Sequence, residues 1–460
     1  MRSPVLPLLL AAAALHPDAS AQQPGPAVTQ LQVQAGSEVA ELSCEAQPQA
    51  PAARAPAAPN PDPMEIPAAD LIQSQDAPEP AAAPLPALRP VAVKDAQRIA
   101  IWGDSHLAAG FFSDELRKLL KFPPEAVPDV RIPANMGRAG VRLPLRKSCV
   151  SAQWKIEPVY ISANGAAPGP GMVNMFSDQA GSTLAWDLRS GQGAPGYGRV
   201  RILYQQTEAP LTVAVSVDGQ AEQQVTLAEK PGPALLELAA ERPLAQVRLR
   251  LLDGALRLHG LELLAAQPAP YTFDVFGYPG ATVASWRNAR QDYLASWFGP
   301  RDYQLVMLEF GTNEGNVKPF DGAAYRRMLV ESVHNMRERF PGAACMLIAP
   351  GDRGVLVPRS ANRPGKGKAK GKRKAGPKID LRQYSRIHAE IGRIQAEVAA
   401  GAGCGAWSMM EAMGGPGSAY RWAQQTPALM ARDLIHFTAA GYQRLARKFA
   451  QDMGWTTAGE

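Results

Sequence analysis

From residue 97 the hydrophobic positions follow two alternating patterns. Short apolar runs occur at 98–103 (RIAIWG), 271–277 (YTFDVFG), 303–311 (YQLVMLEFG), 343–350 (AACMLIAP) and 404–410 (CGAWSMM), each of strand length. Between or after them, apolar residues recur three and four apart, as in "AAYRRMLVESVHNMRERF", which is the spacing of one buried helix face. This spacing predicts helices over 107–121, 281–298, 321–340, 381–400 and 438–453. Alternating strands and helices predict an α/β chain: a three-layer α/β/α sandwich around a five-stranded parallel sheet covered on both faces. Ligands in such folds sit beyond the carboxyl ends of the strands.

The first crossover breaks the rhythm. About 150 residues separate the helix after the first run from the second run. Much of that length, 150–265, reads as short alternating strands: "GSTLAWDLRS", "GRVRILYQQT", "LTVAVSVDGQAEQQVTLA" and "AQVRLRLLDGALRLHGLELL". The Asp-Gly steps in "VDGQ" and "LDGA" are hairpin signals. An all-β sandwich inserted over 146–267 is predicted, dividing the α/β domain into 91–145 and 268–460.

Ahead of this lies a different composition. Met1-Arg2, the apolar stretch Val5–Leu15 and the small residues Ala19-Ser20-Ala21 read as a signal peptide over 1–21, too short to span a bilayer. Residues 22–90 are rich in Pro, Ala and Gln and read as a disordered spacer. The expected location is therefore periplasmic or secreted, with no membrane span.

Charge changes the picture in one place. The chain carries +6, but 359–378 alone holds nine Lys and Arg and no acid, so the rest sums to −3. A near-neutral chain with one basic low-complexity loop does not resemble a nucleic-acid-binding domain. Four cysteines (Cys44, Cys149, Cys345 and Cys404) allow three full pairings, and spacing chooses none. Cys345 and Cys404 begin apolar runs and fit equally well as small core residues. No CxxC or Cys/His cluster calls for a metal.

Candidate chemistry begins at the first strand end, in "WGDSHLAAG". Ser105 stands at a strand-to-helix junction, where it can be a nucleophile or simply a cap, since Ser and Asp are favoured N-caps. A nucleophilic serine needs a base, usually His. Of the six, His16 lies in the signal peptide, His259 in the insert, and His334 and His388 on helices; His106 is adjacent to the serine and cannot easily fold back onto it. His436 has an acid in local register, Asp433 in "RDLIHF", able to hold Nδ1–H and leave Nε2 for the serine. Oxyanion donors are available at two more strand ends: Gly280 in "GYPGATV" and the amide of Asn313 in "FGTNEGN".

The ordered set Ser105, Gly280, Asn313 and Asp433-x-x-His436 resembles the SGNH, or GDSL-like, hydrolases. The resemblance covers about 97–140 and 270–455. It implies Ser105 as nucleophile, His436 as base and Asp433 as its orienting acid, with the oxyanion held by the N–H groups of Ser105 and Gly280 and the Asn313 amide. No metal or other cofactor is implied. The G-x-S-x-G elbow is absent, Leu107 taking its last position. His106 replaces the usual Leu of GDSL, and Glu314 the usual Asp after the Asn.

The GDSH variant, the β-rich insert, "APGDRG" at 349–354 and the tail "MMEAMGGPGSAYRWAQQTPALMARDLIHFTAAGY" resemble exported peptidoglycan O-acetylesterases, whose insert is similar to a family 35 carbohydrate-binding module. That resemblance implies removal of the O-acetyl group from C6 of N-acetylmuramic acid, with O-acetylated peptidoglycan or a related acetylated glycan as partner. Three alternatives stay open: a polysaccharide O-acetyltransferase, an acetyl-xylan-type esterase, and a wall-binding protein with a vestigial site.

Overall fold

The computed structural model describes residues 25–44, 64–67, 97–123, 126–163, 165–190, 193–298, 303–358 and 379–456. The signal peptide, most of the spacer and the basic loop 359–378 lie outside the described residues.

Five parallel strands form the central sheet in the order Thr272–Gly277, Arg98–Gly103, Leu305–Glu309, Ala344–Ala349, Gly405–Ser408. Alternate side chains enter two cores, as the two-residue strand period requires. Ile99, Ile101, Leu305 and Met307 face helices Phe111–Leu119 and Ala439–Asp452. Ala100, Trp102, Val306 and Leu308 face Gly322–Arg339 and Gln383–Gly401. The first strand in sequence lies second in the sheet, flanked by the second and third. Strand order reverses there, which opens a crevice beyond Gly103, Gly277 and Glu309.

Two further sheets share a second core. One carries Gly232–Leu244, Tyr197–Gln206, Leu256–Ala265, Val173–Ser177 and Lys155–Pro158; the other carries Gln223–Leu227, Leu211–Val217, Gln246–Asp253, Thr183–Asp187 and Lys147–Val150. Val200, Ile202 and Leu236 from the first pack with Val213, Val215 and Leu249 from the second.

Three features differ from the sequence reading. First, these β layers recruit chain from outside 146–267. Val130–Pro133 pairs with Leu256–Ala265, and Ala27–Gln32, within the stretch read as spacer, adds a parallel strand to Gly232–Leu244. The reason is compositional: the chain has no proline between Pro26 and Pro48, so its backbone N–H groups are available to a ladder. Second, the cysteines pair as Cys44–Cys149, which pins this segment to the β layers, and Cys345–Cys404, which links neighbouring strands of the parallel sheet. Cys345 and Cys404 are thus bonded rather than merely packed. Third, the helix expected over 281–298 is two short pieces, Ala284–Asn288 and Gln291–Ala295. At the break, the Asn288 amide donates to the carbonyls of Val159, Tyr160 and Ser162, and Arg290 N–H to Ala166. Helical propensity gives way to this seam between the β layers and the α/β unit.

Candidate active site

Ser105 is the first residue of the one-turn helix Ser105–Ala108, immediately beyond the strand. Asp104 caps it, its Oδ1 accepting from His106 N–H at 2.9 Å. Capping and display of the hydroxyl therefore fall to different residues: Asp104 caps while Ser105 Oγ faces His436 Nε2 at 2.9 Å.

A tight turn presents the histidine. Leu434, fully buried, has φ +57°, a left-handed conformation that costs a branched residue energy. Its N–H donates to Ala431 O at 3.1 Å and its carbonyl accepts from Gly354 N–H at 3.0 Å. This turn returns Asp433 beneath the ring. Asp433 Oδ1 accepts from the N–H groups of Ile435 and His436, both at 2.9 Å, and Oδ2 accepts Nδ1–H of His436 at 2.7 Å. With Nδ1 donating, Nε2 is left to accept the serine proton. The bond to Asp433 raises the His436 pKa above its ordinary value against partial desolvation. For Asp433, partial burial pushes upward, but the His436 ring and two backbone donors outweigh it and hold the carboxyl well below the usual range.

Gly280 has φ +91°, and a Cβ there would lie 3.0 Å from the Tyr160 hydroxyl, so the position suits glycine alone. Asn313 bridges the loops: its Nδ2 donates to Ala281 O at 2.9 Å and to Asp104 Oδ2 at 3.3 Å. Among the described residues, neither Ser105 N–H nor Gly280 N–H has an acceptor. Hydrogen bonds thus join Ser105, His436 and Asp433, and Asn313 ties the loop of Gly280 to the turn that carries Ser105.

Beneath them lies a group the sequence reading missed. Asp104, Glu309 and Glu314 are all buried. Glu309 Oε2 accepts Asp104 N–H at 3.2 Å, while Glu314 accepts the N–H groups of Val283 at 2.9 Å and Gly311 at 3.0 Å. Burial pushes Asp104 up to about 6, Glu314 up to about 7, and Glu309 well above the carboxylate range, mutual repulsion adding to the last. The available signal was Glu309 itself, a charge inside the apolar run "VMLEFG". Glu314 shapes the loop through backbone donors and leaves the Asn313 amide outside its bonds.

His106 is buried, its Nδ1 3.1 Å from the Tyr442 hydroxyl and its ring centroid 5.3 Å from that of His436. Burial, aided by the nearby His436, pushes its pKa down to about 3, so it packs as a neutral ring. Of the other histidines, His259 is buried between Asn174 and Tyr293, His388 holds Gly351 O at 2.7 Å, and His334 lies exposed beside Glu338. Among the described residues no three His, Cys, Asp or Glu converge as metal ligands, and no helix is long and apolar enough to cross a membrane.

The model of the GDSL-like lipase/acylhydrolase family matches residues 254–444. Over that stretch the chain is similar to GDSL-like acylhydrolases, a likeness that supports ester hydrolysis. The match takes in Gly280, Asn313, Asp433 and His436; the Ser105 strand lies upstream, cut off by the β-rich crossover. A solved peptidoglycan O-acetylesterase shares the SGNH hydrolase fold, 23% identical with TM-score 0.56 over 79% of this chain and 91% of that one. Slighter likenesses extend to a family two carbohydrate esterase from Clostridium thermocellum (11% identical, 66% of this chain and 100% of that one, TM-score 0.26) and an acetyl xylan esterase (13%, 39% and 79%, TM-score 0.26). No curated protein matches this chain in sequence.

Proposed function

We propose that this protein is an exported serine esterase that removes O-acetyl groups from C6 of N-acetylmuramic acid in peptidoglycan through an acetyl-serine intermediate. The observation that carries the serine chemistry is the unbroken relay from Ser105 Oγ through His436 to Asp433, at 2.9 and 2.7 Å. Ser105 Oγ attacks the acetyl carbonyl while its proton passes to His436 Nε2, and Asp433 stabilises the imidazolium. The oxyanion takes hydrogen bonds from Ser105 N–H, Gly280 N–H and Asn313 Nδ2, the amide giving up its longer bond to Asp104. His436 then protonates the departing sugar oxygen, and water, deprotonated by the same Nε2, releases acetate and restores Ser105.

Support for the substrate comes from the GDSH variant, the β-rich crossover and the tail motif, together with the fold shared with a peptidoglycan O-acetylesterase. In this reading the β layers are a carbohydrate-binding-like module inserted in the catalytic domain, and residues 1–21 direct export. The test is acetate release from O-acetylated peptidoglycan, beside acetyl-xylan, by the wild-type protein and Ser105→Ala. Release that favours peptidoglycan and falls at least about 10⁴-fold in the variant is expected. Release from xylan alone would keep the serine chemistry and discard the wall substrate. Transfer of acetyl to a chitooligosaccharide in place of water would make the protein a transferase.

A further inference from the structure

Arg353 lies at the end of the strand Ala344–Ala349, between the two loops that carry the site. On one side its neighbour Gly354 donates to Leu434 O at 3.0 Å, inside the Asp433–His436 turn; a Cβ on Gly354 would come within 2.8 Å of Leu434, and one on Gly351 within 2.6 Å of Phe437. On the other side Arg353 Nη1 donates to Asn316 Oδ1, and Asn316 N–H donates to Asn313 O at 3.1 Å. The guanidinium carbon lies over the Tyr384 ring, 3.9 Å from its centroid, and Lys318 Nζ stands 4.6 Å from the same ring.

This arginine stands at the site without a counter-ion in contact. Its Nε is buried without an acceptor, and among the described residues no carboxylate stands within ion-pair distance of it. The adjacent acid is committed elsewhere: Asp352 is buried and accepts from Ser385 Oγ at 2.5 Å and Ala419 N–H at 2.8 Å. Asp433 spends both oxygens on the His436 turn. Asp433 therefore reaches the guanidinium only through its field, and the other neighbours, His106, His388 and His436, offer no negative charge. A half-buried cation is normally neutralised, because desolvation without a partner is costly. Here the guanidinium is braced by the Tyr384 ring and by the bond from Nη1 to Asn316, which leaves Nη2 without an acceptor among the described residues.

We propose that Arg353 is the receptor for a carboxylate that the substrate carries beside its reacting ester, with Lys318 as a second cation on the same rim. This rests on the reading of Ser105 and His436 as the reacting pair. In an acylated muramyl glycan that carboxylate has two sources: the lactyl group of the sugar itself, or an acid of the attached peptide.

The test is competitive inhibition of p-nitrophenyl acetate hydrolysis by three sugars. These are N-acetylglucosamine, which has no carboxylate, N-acetylmuramic acid with its free lactyl group, and muramyl dipeptide, whose lactyl group is amidated. At least one of the two acids should inhibit the wild-type protein about ten- to a hundredfold more strongly than N-acetylglucosamine, the worth of one charge-assisted contact. Which acid does so identifies the source. Arg353→Gln should reduce that preference to under about threefold, and Arg353→Lys should keep part of it, because the charge survives without the fork.

Arg353 also lowers the His436 pKa through its field, so Arg353→Gln should move the acid limb of the pH profile to higher pH for every ester alike. A purely bracing or field role would produce that shift and leave the sugar preference intact. Equal inhibition by all three sugars in the wild type, or a preference that survives Arg353→Gln in a variant melting like wild type, would overturn the proposal. Because the readout is p-nitrophenyl acetate, failure to deacetylate peptidoglycan would count against the substrate reading and not against this receptor.

Discussion

In the β layers, buried charge closes on itself. Arg131 pairs with Glu262 at 3.2 Å, Glu262 with Arg201 at 3.0 Å, and Arg201 with Glu237 at 2.6 Å. Around Ser105 the same residue types stand without such partners. Asp104, Glu309 and Glu314 are buried with no Arg or Lys paired to them among the described residues, and Arg353 has no carboxylate. Satisfied charge serves folding, and its partners can be read off the structure. Buried ionisable groups without a counter-charge in a crevice cost stability, and such groups cluster where chemistry or a ligand uses them. The two regions therefore predict different consequences for mutation.

The sharpest test of the contrast is at the site. His436→Ala should lower kcat at least about 10⁴-fold, as loss of a triad base does, and Asn313→Ala about 10²–10³-fold through its oxyanion bond. Steady-state kinetics beside thermal melting checks this; a variant that loses melting temperature in proportion to activity would erase the distinction between the regions.

In the β layers the effect should be on folding alone. Glu262→Ala removes the carboxylate paired with Arg131, whose side chain is only 5% exposed, and should cost about 3–5 kcal/mol in denaturant unfolding. Turnover per folded molecule should stay within about twofold, since neither partner touches the serine relay.

The smallest effect concerns proton linkage. A carboxyl whose folded pKa exceeds its unfolded value holds a proton that the unfolded chain releases, so its contribution to stability falls as pH rises above about 4. Glu309 is raised well above that range. Glu309→Gln keeps an acceptor for Asp104 N–H and cannot ionise, so its melting temperature relative to wild type should climb between about pH 5 and pH 8, each pKa unit being worth about 1.4 kcal/mol. The buried histidines, pushed down to about 3 or 4, act in the opposite direction, losing stability as pH falls below about 6.5. They contribute equally to both proteins and leave the difference intact. A pH-independent difference would show Glu309 to be ionised in the folded state.

Much of this was legible along the chain because it is local. The five apolar runs lie within a residue or two of the strands, since a two-residue period records which side chains face each core. Asp433 and His436 were recognisable as a pair because three residues around one turn suffice to join them. Ser105 and Asn313 were found as residue types at strand ends, where an α/β sheet exposes its loops.

Tertiary structure decided what depends on meetings between distant residues. Whether Ala27–Gln32 joins a sheet depends on the free edge of Gly232–Leu244, some 200 residues away. Disulfide choice depends on which cysteines the fold brings to bonding distance, and the break at Ala289 on carbonyls supplied by the 159–166 segment. The ionisation of Asp104, Glu309 and Glu314 follows from burial, which composition does not record. A sequence specifies the period of each element and the chemistry at its ends; pairing and charge state are properties of the three-dimensional surroundings, because both are set by which groups exclude water from one another.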